Sequence, residues 1–394
     1  MAKLPVPLSE YKERIEKCRT LAKQAGFQAL MVFSHSPDRP GHVRYLSNYY
    51  APCSFNASSL PGEAFRRGMA DSCVLVPVNE EVVLVKAEVP WEHEIAINDV
   101  RDYPNDIVDM ITELVQEKRL DKATIGIAGE DVVSAYILQS IKDRLPAARF
   151  AYADHLVERL RQVKSRNEIA LMHKTAELSD KVLKAAVESV KPGVRERDVG
   201  AVAAAAMLRE GAERVLFNDV QSGPNSELVI AWPMAGDRVI REDDVVMIDL
   251  GAQDGNGYFF DVARTTVAGK PSKAKQDLLR LGRETTDFVA EIGRAGLGGV
   301  EWMKRTNEFL KERMKTNQYS IAHPDPVMFI GHGMGLDMEA LWYVPGADMK
   351  LQEGMVLSIE PWIRVAGLGA SRFEDLMLVA ENRGELLNKY RFAI

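Results

Sequence analysis

Apolar positions recur at helical spacing over residues 9–25, where Tyr11, Ile15, Cys18, Leu21 and Ala22 share one face, and Gly26 predicts the end of that helix. The unbroken run Ala29-Leu30-Met31-Val32-Phe33 then reads as a buried strand. Two further β-branched runs, Cys73-Val74-Leu75-Val76 and Val82-Val83-Leu84-Val85, flank Pro77-Val78-Asn79-Glu80-Glu81 and predict a hairpin. A helical pattern near residues 105–118 leads to another strand, Thr124-Ile125-Gly126-Ile127-Ala128, so the first part of the chain reads as α/β. Residues 51–68 break this rhythm: Ser, Pro and Gly mix with Phe55, Phe65, Arg66 and Arg67, which predicts an ordered loop.

A basic stretch from Arg159 to Arg166 marks a linker near residues 155–165, giving two domains, 1–160 and 161–394. Beyond it, a long helical pattern over residues 167–190 is stopped by Lys191-Pro192-Gly193. The order helix, Gly-containing turn, amphipathic helix occurs at residues 167–209 and again near 272–314, with Gly293 and Gly296 in the second turn, and suggests duplicated halves. Each half is followed by a strand pair. Val245-Val246-Met247-Ile248 runs into Asp249, the turn Asp254-Gly255-Asn256-Gly257 reverses the chain, and Tyr258-Phe259-Phe260-Asp261-Val262-Ala263-Arg264-Thr265 returns. In the second half Met355-Val356-Leu357-Ser358-Ile359 ends at Glu360-Pro361, and Arg372-Phe373-Glu374-Asp375 opens Leu376-Met377-Leu378-Val379. The C-terminal domain is therefore expected to be α+β, with a pseudo-twofold curved antiparallel sheet.

Composition removes several function classes. A chain of 394 residues with 46% hydrophobic content buries two cores. The net charge of −7 lacks the basic face that phosphate backbones need, so nucleic acid is not an expected partner. No apolar run approaches the roughly 20 residues of a membrane helix, and Met1-Ala2-Lys3-Leu4-Pro5 lacks a signal-peptide core; a cytoplasmic protein is expected. Cys18, Cys53 and Cys73, an odd number without CxxC spacing, read as reduced thiols.

The chemistry is carried by Asp249, Asp261, His332, Glu360 and Glu374. Singly, each has an ordinary structural reading: a strand-end Asp forms turns, a buried Glu pairs with a base, and Asp261-x-x-Arg264-Thr265 is a surface salt bridge. Together, four carboxylates at the ends of apolar strands, with a histidine inside Gly331-His332-Gly333-Met334-Gly335, are too costly to bury without cations. Oxygen donors with one imidazole suit two divalent ions such as Mn, Co, Fe or Zn, and such a pair lowers the pKa of water and polarises a carbonyl.

These motifs, with Leu160-Arg161-Gln162-Val163-Lys164-Ser165, Glu168-Ile169 and Ser222-Gly223-Pro224-Asn225-Ser226, make the chain resemble the pita-bread metallopeptidases: prolidases, Xaa-Pro aminopeptidases, methionine aminopeptidases and creatinase. The resemblance covers nearly the whole length. It implies a creatinase-like N-terminal domain and a pita-bread catalytic domain. It also implies that Asp261 and Glu374 bridge two ions, Asp249 holds one, and His332 and Glu360 hold the other. Glu360 would then shuttle the proton during attack on a carbonyl, with Arg372 orienting the carboxylates. By the same resemblance the protein is a homodimer whose loop at residues 51–68, including Phe55 and Arg66, reaches the partner's site.

The chain departs from the peptidase pattern where that family places substrate-binding histidines. Trp232 stands six residues before Arg238, Met328 four before His332, and Glu339 seven after it. An indole face and an added carboxylate favour a cation or compact amphiphile over an anionic dipeptide end; as plain structure, Trp232 and Met328 are packing residues and Glu339 half of an ion pair. The leading expectation is a metal-dependent hydrolase of a small amide or Xaa-Pro C–N bond. The alternatives are a metal-dependent lyase of the dimethylsulfoniopropionate type, with Glu339 as base, a creatinase-like hydrolase, suggested by Cys53-Ser54-Phe55, and a non-catalytic binding protein of the same fold.

Overall fold

The computed structural model describes residues 3–53, 68–227, 234–316 and 327–392. The chain forms two units, Met1–Arg161 and Gln162–Ile394. Phe55, Arg66 and Trp232 lie outside the described residues.

The first unit runs α1 (Leu8–Gln24), β1 (Ala29–His35), α2 (Gly41–Ser47), β2 (Asp71–Pro77), β3 (Val83–Ala87), β4 (Asp99–Tyr103), α3 (Ile107–Glu117), β5 (Thr124–Ala128), α4 (Ala135–Arg144), β6 (Arg149–Tyr152) and α5 (Asp154–Gln162). Its six-stranded sheet has the order β4-β3-β2-β1-β5-β6. The β1–β2 and β2–β3 ladders are antiparallel and the outer ladders parallel. β1 to β3 are buried on both faces, which is why they read as continuous apolar runs rather than alternating ones. The stretch expected as a linker is instead the helix α5: Leu156 and Val157 face inward, and the basic residues Arg159 and Arg161 fall in its last turn.

The second unit runs α6 (Arg166–Ser189), α7 (Glu196–Arg209), β7 (Ala212–Ser222), β8 (Val245–Asp254), β9 (Phe259–Val267), α8 (Lys273–Ile292), α9 (Gly299–Thr316), β10 (Gly331–Met334), β11 (Met338–Tyr343), β12 (Val356–Ile359), β13 (Trp362–Val365), β14 (Gly369–Arg372), β15 (Asp375–Val379) and β16 (Gly384–Leu386). A capping box starts α6: Ser165 Oγ accepts from the Glu168 amide at 3.1 Å, and Glu168 Oε2 accepts from the Ser165 amide at 3.0 Å. The two helix pairs, α6–α7 and α8–α9, each precede a set of antiparallel strands, which is the repeat visible in the sequence. Those strands form a three-stranded ladder, β7-β8-β9, and a five-stranded one, β11-β10-β12-β15-β16.

The curved sheet is completed where β9 meets residues 372–374. The Glu374 amide donates to the Ala263 carbonyl at 3.0 Å. Thr265 Oγ1 accepts from the Arg372 amide at 2.8 Å and lies 3.2 Å from its carbonyl. The core beneath the larger ladder packs Trp302, Leu278, Val289 and Leu310 of α8 and α9 against Leu357, Ile359 and Met377.

Candidate metal centre

The two aspartates are set by strand register. In the β8–β9 ladder Asp249 pairs with Ala263 and Gly251 with Asp261, so both carboxylates leave the same face, two residues apart along the strands. The turn holds that register: Asp254 Oδ1 accepts from the amides of Asn256 at 2.8 Å and Tyr258 at 3.0 Å. Gly251 lies opposite Asp261, and a Cβ there would lie 2.2 Å from the Phe217 ring, which would have to move to admit a side chain.

The other half supplies the imidazole and the glutamates. β10 pairs with β12, placing His332 opposite Ser358, while Glu360 follows β12 directly and Glu374 immediately precedes β15. Ser358 Oγ lies 2.7 Å from the Asp261 carbonyl and 2.8 Å from Glu374 Oε1, so one hydroxyl links both halves at the site. His332 Nε2 stands 3.4 Å from Asp261 Oδ2 and 3.6 Å from Glu360 Oε1. Its ring stacks on Trp342, with centroids 4.8 Å apart, and Phe329 extends the stack.

Arg372 lies among the carboxylates. Its Nη1 is 2.5 Å from Asp249 Oδ2, and its Nη2 is 2.9 Å from Glu374 Oε2 and also pairs with Glu360. All of these side chains are buried. Burial, then the neighbouring negative charge, pushes the carboxyls up: Asp249 to about 6, with Asp261 and Glu360 held well above their ordinary values. Burial opposes the charge on Arg372, but the surrounding carboxylates outweigh it and hold its pKa up.

One guanidinium does not satisfy this cluster. Asp249 Oδ1 and Asp261 Oδ1 are buried and without a hydrogen-bond partner among the described residues. Ligand atoms of Asp261, His332 and Glu374 lie within 4.8 Å of one another, a spacing that coordination bonds of about 2.0–2.2 Å can span. The donor set and its unsatisfied oxygens fit hard or borderline divalent ions.

The remaining expected residues fall differently. Met328 is 51% exposed. Glu339, on β11 opposite Gly333, is buried and ion-paired to the equally buried Lys164. That pairing balances the charge expected to repel anions, because Lys164, 175 residues away along the chain, supplies a cation that local pattern does not place beside Glu339. Another acidic residue went unnoticed in the sequence: Asp219 of β7 lies opposite Asp249 and is 5% exposed. Burial, then the charge of Asp249, raises its carboxyl to about 6. The one available signal was the short distance from Asp219 to the Ser222-Gly223-Pro224-Asn225 segment.

This centre, on this fold, is that of a metallopeptidase, and comparison with known proteins agrees. Residues 170–381 match metallopeptidase family M24, and residues 14–163 match the creatinase/prolidase N-terminal domain. The chain is 32% identical over 268 residues to an Xaa-Pro dipeptidase of Pyrococcus furiosus, covering 68% of this chain and 74% of that protein. It is 31% identical over 272 residues to a probable dipeptidase, PepE, of Mycobacterium tuberculosis, covering 68% and 69%. Among solved structures, the prolidase from Pyrococcus furiosus superposes with a TM-score of 0.75 at 26% identity, over 95% of this chain and all of that one. The prolidase from Pyrococcus horikoshii OT3 gives 0.77 at 24%, over 96% and 99%. The chain belongs to metallopeptidase family M24: it is a metal-dependent hydrolase with a creatinase-type N-terminal domain and a pita-bread catalytic domain. Among the described residues no helix is long and apolar enough to cross a membrane.

Proposed function

We propose that this protein is an Xaa-Pro dipeptidase working with two divalent ions of the Mn, Co, Fe or Zn type. The observation that carries the reading is the convergence of Asp249, Asp261, His332, Glu360 and Glu374, with two buried carboxylate oxygens unsatisfied. The relatives described as Xaa-Pro dipeptidases support the substrate class.

In this reading Asp249, Asp261, His332, Glu360 and Glu374 would hold the ions between them. Bound there, the ions would polarise the scissile carbonyl and acidify the attacking water. Glu360 takes the proton from that water and returns it to the leaving amide nitrogen as the C–N bond breaks. Arg372 fixes the carboxylate orientations. Trp232, Met328, Phe55 and Arg66 are assigned to the substrate pocket. Glu339 acts there as half of its ion pair with Lys164, so it is not a free base for the lyase alternative. A homodimer in the cytoplasm belongs to the same proposal and rests on the family resemblance.

The test is hydrolysis of Gly-Pro by purified protein. Activity is expected to vanish with a chelator, return with Mn²⁺ or Co²⁺, and be lost in Glu360→Gln. Release of an unsaturated product from a small substrate without peptide cleavage would instead favour the lyase.

A further inference from the structure

Asp219 is a carboxylate that neither the fold nor the metal-ligand set uses. It sits on β7 directly across from Asp249, and directly opposed residues of an antiparallel pair share a face with Cβ atoms about 4.5–5.5 Å apart. Its side chain is therefore directed to the face from which Asp249 and Asp261 project. The residue is 5% exposed, and among the described residues no hydrogen-bond donor or ion-pair partner reaches its carboxylate. Its neighbour Asn218, by contrast, is tied to the Gly200 carbonyl at 2.9 Å.

A like-charged pair opposed across two strands is destabilising, and a buried carboxylate without a donor more so. A purely structural role would call for a partner. Arg372 is committed to Asp249, Glu360 and Glu374, and no ion pair joins it to Asp219. The charge of Arg372 reaches Asp219 only without a direct contact, and the ions proposed at Asp249 are held by other carboxylates, so what Asp219 lacks is a hydrogen-bonding cation of its own.

A dipeptide carries one. Its α-ammonium is separated from the scissile carbonyl by a single carbon, so when that carbonyl lies among Asp249, Asp261 and Glu374 the ammonium must lie beside them. We propose that Asp219 is the receptor for the substrate's free α-ammonium, making it a specificity-determining residue that selects unblocked dipeptides. The inference rests on the dipeptidase reading. A buried charge-assisted hydrogen bond of this kind discriminates strongly, because the carboxylate stays unpaired with any substrate lacking the amine.

The experiment compares Gly-Pro with N-acetyl-Gly-Pro. Calorimetric titration of metal-loaded Glu360→Gln protein, which retains uncleaved peptide, is expected to show tighter binding of Gly-Pro by about ten-fold or more. Asp219→Asn in that background should erase the preference, leaving N-acetyl-Gly-Pro binding unchanged. Metal content of both variants, from elemental analysis, should match. In the active enzyme Asp219→Asn should raise KM for Gly-Pro more than it lowers kcat. The proposal is overturned if the preference survives in Asp219→Asn, if both peptides weaken equally, or if the substitution removes a metal ion. Wild-type protein that cleaves Gly-Pro while Asp219→Asn keeps the preference sinks the ammonium receptor alone. Wild-type protein that neither binds nor cleaves Gly-Pro sinks the dipeptidase reading with it.

Discussion

Arg264 Nη2 lies 2.5 Å from Asp375 Oδ1 with both side chains fully buried, and Arg264 Nη1 donates to the Glu374 carbonyl at 2.8 Å. The same guanidinium reaches the Tyr390 carbonyl at 3.3 Å, and Arg283 lies 3.2 Å from Asp375 Oδ2. Burial alone would raise the Asp375 carboxyl; Arg264, Arg283 and Arg391 outweigh it and hold it below its ordinary value. The Arg of Asp261-x-x-Arg264-Thr265, which as a sequence fragment reads as a surface ion pair, thus clamps the backbone of Glu374, a proposed metal ligand, from behind.

Arg264→Ala leaves Asp375 without its closest cation and the Glu374 carbonyl without a donor. A loss of about 3–5 kcal/mol in unfolding free energy is expected, together with weaker metal binding. Arg264→Lys should recover part of the stability but less of the metal affinity, since one ammonium cannot follow the planar fork to both acceptors. Urea unfolding and metal titration separate the two effects; an unaltered metal affinity in Arg264→Ala would confine the clamp to a role in folding.

The pH dependence of the metal-free protein follows from the raised carboxyls. Asp249 moves from 3.8 to about 6, so between those values the folded state keeps a proton that the unfolded chain has released. Stability then falls as pH rises through this window, the reverse of an ion-paired carboxylate. Asp261 and Glu360 act in the same direction. Divalent ions bind the deprotonated carboxylates, so binding should release protons, and the rise in Tm on adding Mn²⁺ should grow as pH increases through about 6. Thermal unfolding with and without metal from pH 5 to 8 checks this; a metal-induced shift independent of pH would contradict it.

The glycines around His332 make a third prediction. Gly331 has φ +157, and a Cβ there would lie 2.0 Å from the Ser358 carbonyl, a backbone atom held in the β10–β12 ladder. Gly331→Ala must push β10 away from β12, moving His332 relative to Ser358 and thereby to Glu374. A stability loss of about 1–3 kcal/mol is expected from overpacking, with a larger proportional loss of metal affinity. An affinity equal to wild type would show that the imidazole position tolerates the shift.

These features mark how far the sequence could be read. Asp249, Asp261, Glu360 and Glu374 adjoin apolar β-branched runs that local pattern alone locates as strands, so the cluster was legible, although Asp249 and Asp261 fall within β8 and β9 rather than at strand ends. β7 was not, because Ala212–Ser222 interleaves Glu213, Arg214, Asn218 and Asp219 with apolar residues and has register shifts near Arg214 and Phe217. Missing that strand meant missing Asp219. Lys164 and Arg264 became informative only through partners more than 100 residues away, a separation that local periodicity does not encode.

Lys164 and Glu339 give the last prediction. Both are buried, they pair directly, and Glu339 stands opposite Gly333, next to the proposed ligand His332. If the pair is a neutral structural unit, Lys164→Met alone leaves a buried carboxylate unpaired and should cost about 3–5 kcal/mol, whereas Lys164→Met with Glu339→Gln should cost much less. A double-mutant cycle by urea unfolding should therefore return a coupling of about 2 kcal/mol or more. The same logic governs any attempt to place at position 339 the histidine that the family resemblance implies there. Glu339→His alone strands the Lys164 ammonium beside an imidazole and should lower Gly-Pro turnover, while Lys164→Met with Glu339→His should recover it. Additive stability costs, or equal turnover in both histidine variants, would mean that Glu339 faces substrate independently of Lys164.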